Sequence, residues 1–413
     1  MNNIDKIFIE GEVYCETQVP KSLLEKNYFN TIKINLEVTK YKARICGIIN
    51  LENKFYLFLP KGYKDRDFTD YKNFAKLLFE CLINYKNEVL LEDYEYDWLG
   101  KETNTSQFIN LVEWLINDFK ANGIYKLEDK IIKKNQKGKI NWQKSIQKYT
   151  PYIQNDELIQ LDLISEKSVI NNDELISIIH NNIMYECEKV FGWLFTFEGN
   201  FNHQYIEIDK NIQIKLLQKE LEKNFIDRNI ELLKRLITYL EIYRDNNFEF
   251  VLATPYFYTV WEEMLRVTFE EDKILFDKVP KPYWEFNGKV RKLDQIPDIL
   301  KQKKENLFII DAKYYLINKN DISSLPGWSS IVKQMYYRLS LSKEFDSIKN
   351  IFLLPKSLNK EIKYIGRTSV ENYEDDFDYV YAFVIDIKLV IKSYLKRKSL
   401  VYLLNKIENN IKN

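Results

Sequence analysis

The chain has 413 residues, 45% of them hydrophobic and 15% aromatic, enough to bury two or three cores. Its 61 basic side chains balance 61 acidic ones, which excludes a uniformly basic nucleic-acid coat and confines any DNA contact to local patches or to a partner. Four dispersed cysteines and only two histidines, His180 and His203, give little support to a disulfide scaffold, a zinc cluster or histidine-based catalysis. The N-terminus lacks the apolar stretch of a signal peptide, and no uncharged run reaches the roughly 18 residues of a membrane span. A soluble, cytoplasmic protein with no membrane partner is expected.

Residues 1–90 alternate strand-like runs (KIFIEGEVYCE, TIKINLEV, ARICGIINLENKFYLFLP) with charged turns. That pattern predicts a small β-rich module closed by Pro60-Lys61-Gly62. From about Asp70 the apolar spacing turns helical, and residues 91–245 are predicted as a mainly helical middle region. Within it, residues 130–148 are rich in lysine and hold no acid. They read either as a solvated basic face or as a surface that contacts phosphate or a partner. His180 falls on the apolar face of a predicted helix, where a satisfied core histidine is expected. Near Asn246 the pattern changes again, and residues 246–413 are predicted as a separate domain that carries the chemistry.

In that domain RKLDQIPDIL (291–300) and NLFIIDAKYY (306–315) are apolar runs joined by a polar turn, which predicts a hairpin centred near 303 or 304. Asp311 and Lys313 are two apart on the second strand and must share a face, with Ile310 and Ala312 pointing the other way. If Asp298 lies diagonally across the hairpin, two carboxylates and an ammonium converge. Such a trio suits phosphodiester hydrolysis: hard oxygen ligands hold Mg²⁺, and a lysine orients water and stabilises charge on phosphate. Upstream, Thr254-Pro255 predicts a helix start, with Thr as the N-cap. The helix it opens buries Phe257, Val260, Trp261, Met264, Leu265 and Thr268. Glu262 at the border of that stripe is the candidate third acid, with Glu263 the alternative. Downstream, Gln334 and Tyr337 share a helical face beside Lys333. Other acid-x-Lys triplets occur, at Glu52/Lys54, Glu361/Lys363 and Asp386/Lys388, without this setting.

Pro297-Asp298, twelve residues, then Asp311-Ala312-Lys313 resembles the PD-(D/E)xK nuclease superfamily. More narrowly, the chain resembles the LlaJI family of restriction endonucleases, which are similar to McrC. Phe-Leu-Pro-Lys-Gly-Tyr (58–63), the stretch Gly138 to Ile146 followed by Pro151, and the block with Lys333-Gln334 and Tyr337 carry the likeness. The resemblance implies an α/β fold: a restriction-endonuclease-like C-terminal core preceded by the β-rich module and the helical middle region. It implies Asp298, Asp311, Lys313, Glu262 and Gln334 as catalytic, with Asp298, Asp311 and Glu262 as ligands of Mg²⁺. It also implies double-stranded DNA as substrate, an McrB-like AAA+ GTPase partner docked through the N-terminal region, and a nuclease that is dimeric at the point of cleavage. The chain has no Gly-x-x-x-x-Gly-Lys-Ser/Thr loop of its own, so any nucleotide hydrolysis falls to another polypeptide. Two other readings remain: a non-catalytic DNA- or partner-binding adaptor with a degenerate nuclease fold, and a repair or mobile-element nuclease without a GTPase.

Overall fold

The computed structural model describes residues 4–35, 38–52, 54–64, 68–99, 104–125, 127–135, 139–154, 157–171, 175–199, 201, 207–242, 250–317 and 321–412. The chain divides into two compact units, Met1–Ser106 with Asn247–Asn413, and Gln107–Asn246. Residues 1–90 and 246–413, read from the sequence as separate modules, thus lie in one unit.

Strand pairing is the physical reason. β1 (Lys6–Ile9), β2 (Cys46–Leu51), β3 (Lys54–Leu59) and β4 (Phe250–Thr254) form one sheet in the order β1-β3-β2-β4. β1 runs parallel to β3, β2 and β3 form a hairpin, and β4 pairs antiparallel with β2 from Phe250↔Asn50 to Thr254↔Cys46. One core gathers Phe8, Phe29, Ile49, Phe58 and Ala253, so it mixes residues from both ends of the chain. Gly47 makes the β2–β4 approach possible. Its φ of +143° is open to glycine, and a Cβ there would lie 2.2 Å from the Leu252 carbonyl oxygen.

The same unit holds a second, five-stranded sheet: β5 (Ile299–Lys303), β6 (Asn306–Ala312), β7 (Ser347–Lys356), β8 (Ile362–Thr368) and β9 (Val380–Asp386), in the order β5-β6-β7-β9-β8. The central strands β6, β7 and β9 are parallel, and the two edges pair antiparallel. Parallel strands are covered on both faces, which is why these three read as near-continuous apolar runs rather than alternating ones. Helices α2 (Phe257–Thr268), α3 (Trp328–Leu341) and α4 (Ile387–Leu395) pack on it, while α1 (Phe68–Glu88) lies on β2 and β4 of the first sheet. α4 rests on both α1 and α2, Cys81 Sγ of α1 lies 3.4 Å from Met264 Sδ of α2, and α3 lies on β6 and β7.

α2 buries the stripe the sequence predicted. Its start differs: Tyr256, not Thr254, is the N-cap, because Thr254 is still paired in β4. The Thr254 hydroxyl accepts the Tyr256 N–H at 3.0 Å and turns the chain from strand into helix.

The unit Gln107–Asn246 is mainly helical (Leu175–Phe195, Lys210–Leu221, Asp227–Ile242) around a small sheet of Leu127–Lys134, Lys139–Ile140 and Ile164–Asn171. The lysine-rich stretch is therefore strand, strand and helix rather than one face. Lys134 pairs with Asp162 at 2.8 Å, while Lys137 and Gly138 lie outside the described residues. Asn141 caps the helix Trp142–Lys148, and Ser145 Oγ accepts the Ile164 N–H at 2.8 Å, which fastens that helix to the sheet. His180 is fully buried, accepts the Tyr125 N–H at 2.9 Å, and is held neutral by burial, with its pKa lowered to about 4. No described helix is long and apolar enough to cross a membrane.

Gly47→Ala is expected to lower the unfolding free energy by about 2 to 4 kcal/mol, since both backbone strain and the Leu252 carbonyl oppose a side chain. The measurement is the denaturant midpoint, which should fall with little change in slope.

Candidate active site

The hairpin sets the geometry. β5 and β6 pair from Ile299↔Ile310 to Lys303↔Asn306, leaving Lys304-Glu305 as the turn, with Lys304 at φ +56°. The sequence placed the turn centre near 303 or 304 and the first strand at 291–300. The strand instead begins at Ile299, because residues 289–292 belong to a separate ribbon. The observed register brings Asp298, one residue before Ile299, directly opposite Asp311 rather than diagonal to it. Asp298 Oδ2 accepts the Ala312 N–H at 2.8 Å, which extends the ladder by a side chain.

Along β6, Asp311 alternates with Leu307 and Ile309, whose side chains pack with Leu300, Tyr337 and Leu341. Asp311 therefore ends an apolar row and is itself fully buried. Lys313 follows the last strand residue, its N–H donating to the Leu353 carbonyl at 3.0 Å, and its Nζ lies 2.7 Å from Asp311 Oδ2. Asp311 Oδ1 is buried without a hydrogen-bond partner.

Two helices complete the surroundings. On α2, Glu262 Oε1 lies 2.5 Å from Arg266, one turn on, and Arg266 Nε donates to the Asp298 carbonyl at 3.2 Å. Glu262 is in electrostatic range of both Asp298 and Asp311, whereas Glu263 acts on Tyr85 and Tyr394. Of the two adjacent glutamates, Glu262 is the one that faces the aspartates. On α3, Lys333 Nζ lies 3.8 Å from Asp298 Oδ1 and 5.7 Å from the Tyr337 ring centre. Gln334 is fully buried, with both side-chain amide atoms unpartnered, and the buried Tyr337 hydroxyl is also unpartnered. Tyr337 lies in electrostatic range of Asp298 and Asp311, and buried polar atoms are nearly always satisfied, although others without a partner occur elsewhere, as at Asn50 and Asn181.

Burial, and then the facing Asp298, raises the Asp311 carboxyl to about 6. Burial, again followed by Asp298, raises Glu262 to about 7. Burial opposes the charged form of Lys313, but the Asp311 carboxylate outweighs it and holds the ammonium above its ordinary value. Acids raised by burial and by a neighbouring carboxylate are relieved by an added cation. Among the described residues, no group of three or more His, Cys, Asp or Glu is gathered tightly enough to hold a metal by itself. What the chain offers is the free Asp311 Oδ1, the facing Asp298 and the more distant Glu262. These few hard oxygen donors suit Mg²⁺, which keeps several waters and shares phosphate oxygens with its substrate.

The strand carrying these residues is tied to the N-terminal sheet. Tyr314, next to Lys313, donates its hydroxyl to Glu10 Oε2 at 2.6 Å and accepts the Lys61 N–H at 2.9 Å. Lys61 Nζ lies 3.5 Å from Glu10 Oε1 and 4.7 Å from the Tyr314 ring centre. Gly62, at φ +78°, accepts the Ser357 N–H at 2.9 Å, and a Cβ there would meet the Pro355 carbonyl at 2.6 Å. The stretch 58–63, noticed in the sequence without a chemical reason, thus docks on the C-terminal ends of β6 and β7. Arg266 and this anchor were missed in the sequence. The Glu262–Arg266 spacing was a usable signal, but nothing local could pair Glu10 with Tyr314. Two of the other triplets have structural duties: Asp386 caps α4 through the Leu389 N–H at 2.9 Å, and Glu361 accepts the Tyr402 hydroxyl at 2.7 Å.

The raised Asp311 carboxyl fixes a sign. Between its ordinary value of 3.8 and about 6, the folded chain keeps a proton that the unfolded chain has released, so stability falls as pH rises through that window and stays reduced above it. Glu262 adds the same trend between 4.5 and about 7. Asp311→Asn is therefore expected to be more stable than the parent by about 1 to 3 kcal/mol at pH 8, with the gain gone below about pH 4. Metal-free thermal melts across that range check it.

Over residues 45–395 the chain matches the family described as LlaJI restriction endonuclease. It is similar to the type II restriction enzyme BsuMI component YdjA of Bacillus subtilis (strain 168), with 28% identity over 399 residues covering 87% of this chain and 80% of that protein. Among solved structures, it aligns with the Thermococcus gammatolerans assembly of McrB AAA+ hexamers with bound McrC at 14% identity and a TM-score of 0.35, covering 97% of this chain and 99% of that one. The T. gammatolerans McrBC complex aligns at 13% identity and a TM-score of 0.26, covering 67% and 88%. Structural scores of this size carry no inference, whereas the family match covers β2 to β9 and encloses Asp298, Asp311 and Lys313. The chain belongs to the LlaJI restriction endonuclease family.

Proposed function

We propose that this chain is the Mg²⁺-dependent DNA-cleaving subunit of a restriction system, with a PD-(D/E)xK site in its five-stranded sheet. Family membership supplies the restriction setting. The observation that carries the chemistry is the end of β6, where buried Asp311 leaves one oxygen unpartnered, holds Lys313 at 2.7 Å and faces Asp298 across the hairpin.

In this reading Asp298 and Asp311 hold Mg²⁺, with Glu262 contributing directly or through a water. When bound, the ion supplies positive charge for the phosphate and a more acidic water. Lys313 positions the attacking water and stabilises the negative charge that builds on the phosphate oxygens. Gln334, with both amide atoms free, hydrogen-bonds a water or a DNA phosphate. Lys333 adds charge beside Asp298, and Arg266 keeps Glu262 in place.

Double-stranded DNA is the proposed substrate. Cutting both strands calls for two such sites, so the nuclease is dimeric at cleavage, alone or through its partner. That partner is an McrB-like AAA+ GTPase docked on the N-terminal region, which fits a chain with zero net charge and no phosphate loop. The Bacillus relative is itself named as a component of a restriction enzyme, in keeping with a multi-subunit system.

The test is incubation of purified protein with plasmid DNA and Mg²⁺, with and without GTP and the product of the adjacent gene, should that gene encode an AAA+ protein. Asp311→Asn and Lys313→Ala are expected to lower the cleavage rate by about 10²-fold or more. Asp386→Asn should cut like the parent, because asparagine also caps a helix. Cutting that persists in Asp311→Asn rejects the site. Cutting that is lost only without the neighbour and GTP places the chain in a GTPase-driven system.

A further inference from the structure

Between the buried residues Val279 and Ile299 the chain forms a two-stranded ribbon, Tyr283–Phe286 paired antiparallel with Lys289–Lys292. Asn287 and Gly288 turn it at φ +50° and +72°, the twist that suits a two-residue hairpin. The register pairs Trp284 with Arg291 and Phe286 with Lys289, so these four side chains share one face of the pleat. Trp284 is 68% exposed and Phe286 73%. Glu285, the only acid in the ribbon, falls on the opposite face.

A bare two-stranded ribbon is at best marginally stable in water, and large exposed aromatics contribute nothing to this core. The root, by contrast, is fixed. Val279 packs with Leu300 and Leu307, and Tyr336 of α3 donates its hydroxyl to the Pro280 carbonyl at 2.9 Å. Leu293 N–H reaches the Pro282 carbonyl at 2.7 Å, and Lys281 meets Asp294 at 2.7 Å. The five residues 293–297 join the ribbon to Asp298, a reach of at most about 20 Å, less than the roughly 34 Å of one duplex turn.

Two aromatics interleaved with two cations, on a face without an acid, complement nucleic acid: the cations meet phosphates while the rings lie on sugars or base edges. A two-stranded ribbon also has the width the major groove admits. A second copy of the same face is a poorer occupant, since a symmetric pair would bring Arg291 and Lys289 against their own kind. We propose that this ribbon is a DNA-contacting finger that enters a groove of the duplex and sets its register against Asp298 and Asp311. The proposal rests on the nuclease reading above and adds the surface that holds the substrate.

The test measures binding of the full chain to a short labelled duplex at low salt, followed by a salt titration. Lys289→Glu with Arg291→Glu is expected to weaken binding about tenfold or more and to flatten the dependence of log affinity on log salt by about 2. Trp284→Ala with Phe286→Ala should weaken it about tenfold with the slope unchanged. Thermal midpoints should match the parent in both. Parent-like binding by both variants overturns the proposal, as does a parent that binds no duplex at low salt. So does a loss of self-association with duplex affinity intact, which would make the ribbon a contact between copies. Asp311→Asn, run in parallel, separates the two ideas. Cutting by that variant defeats the assignment of the site to Asp311, whereas parent-like cutting and binding by the ribbon variants defeats only the finger.

Discussion

A carboxylate buried at the end of an apolar strand is the constraint around which the C-terminal half of the protein is arranged. Asp311 has Leu307 and Ile309 behind it on its own strand and no water-facing surface. Such a group is costly unless something compensates its charge. Lys313 meets one oxygen and leaves the other bare. The compensation within the chain is incomplete, and Asp298 opposite makes the shortfall larger.

Holding that arrangement requires rigidity from outside the hairpin. The residue after Lys313 is locked by Glu10 and Lys61, and the end of β7 is locked by Gly62. The N-terminal sheet is therefore part of the scaffold of the site as well as a candidate docking surface. Glu10 is itself raised to about 7, by burial first and against the pull of Lys61, so the anchor is a short, mostly dry network. Because β4 completes the N-terminal sheet immediately before α2 begins, the same connection fixes where the Glu262 helix starts.

Electrostatics divides the helices by function. α2 brings an acid and the arginine that restrains it, and α3 brings a lysine and two unsatisfied polar groups. The ribbon between them adds aromatics and cations beyond the core. Acidic, basic and aromatic chemistry thus come from successive segments of one chain, although the chain as a whole is neutral.

What the sequence determined was the local chemistry. The two-residue step between Asp311 and Lys313 forces a shared face, and the apolar periodicity around Phe257 fixes the buried stripe of α2. The hairpin followed from two apolar runs and a polar turn, although its register was not legible there. The start of α2 was misplaced because Thr254 satisfies a helix-cap rule and a strand equally well, and its pairing partner lies two hundred residues away. Long-range pairing of that kind decided the rest. β4 against β2 joined distant parts of the chain, Tyr314 against Glu10 explained the Pro-Lys-Gly stretch, and the packing of α2 placed Glu262 in electrostatic range of the aspartates. Local propensity depends on neighbours within a few positions. Burial, charge coupling and register depend on which distant segments meet, and only the folded chain supplies that.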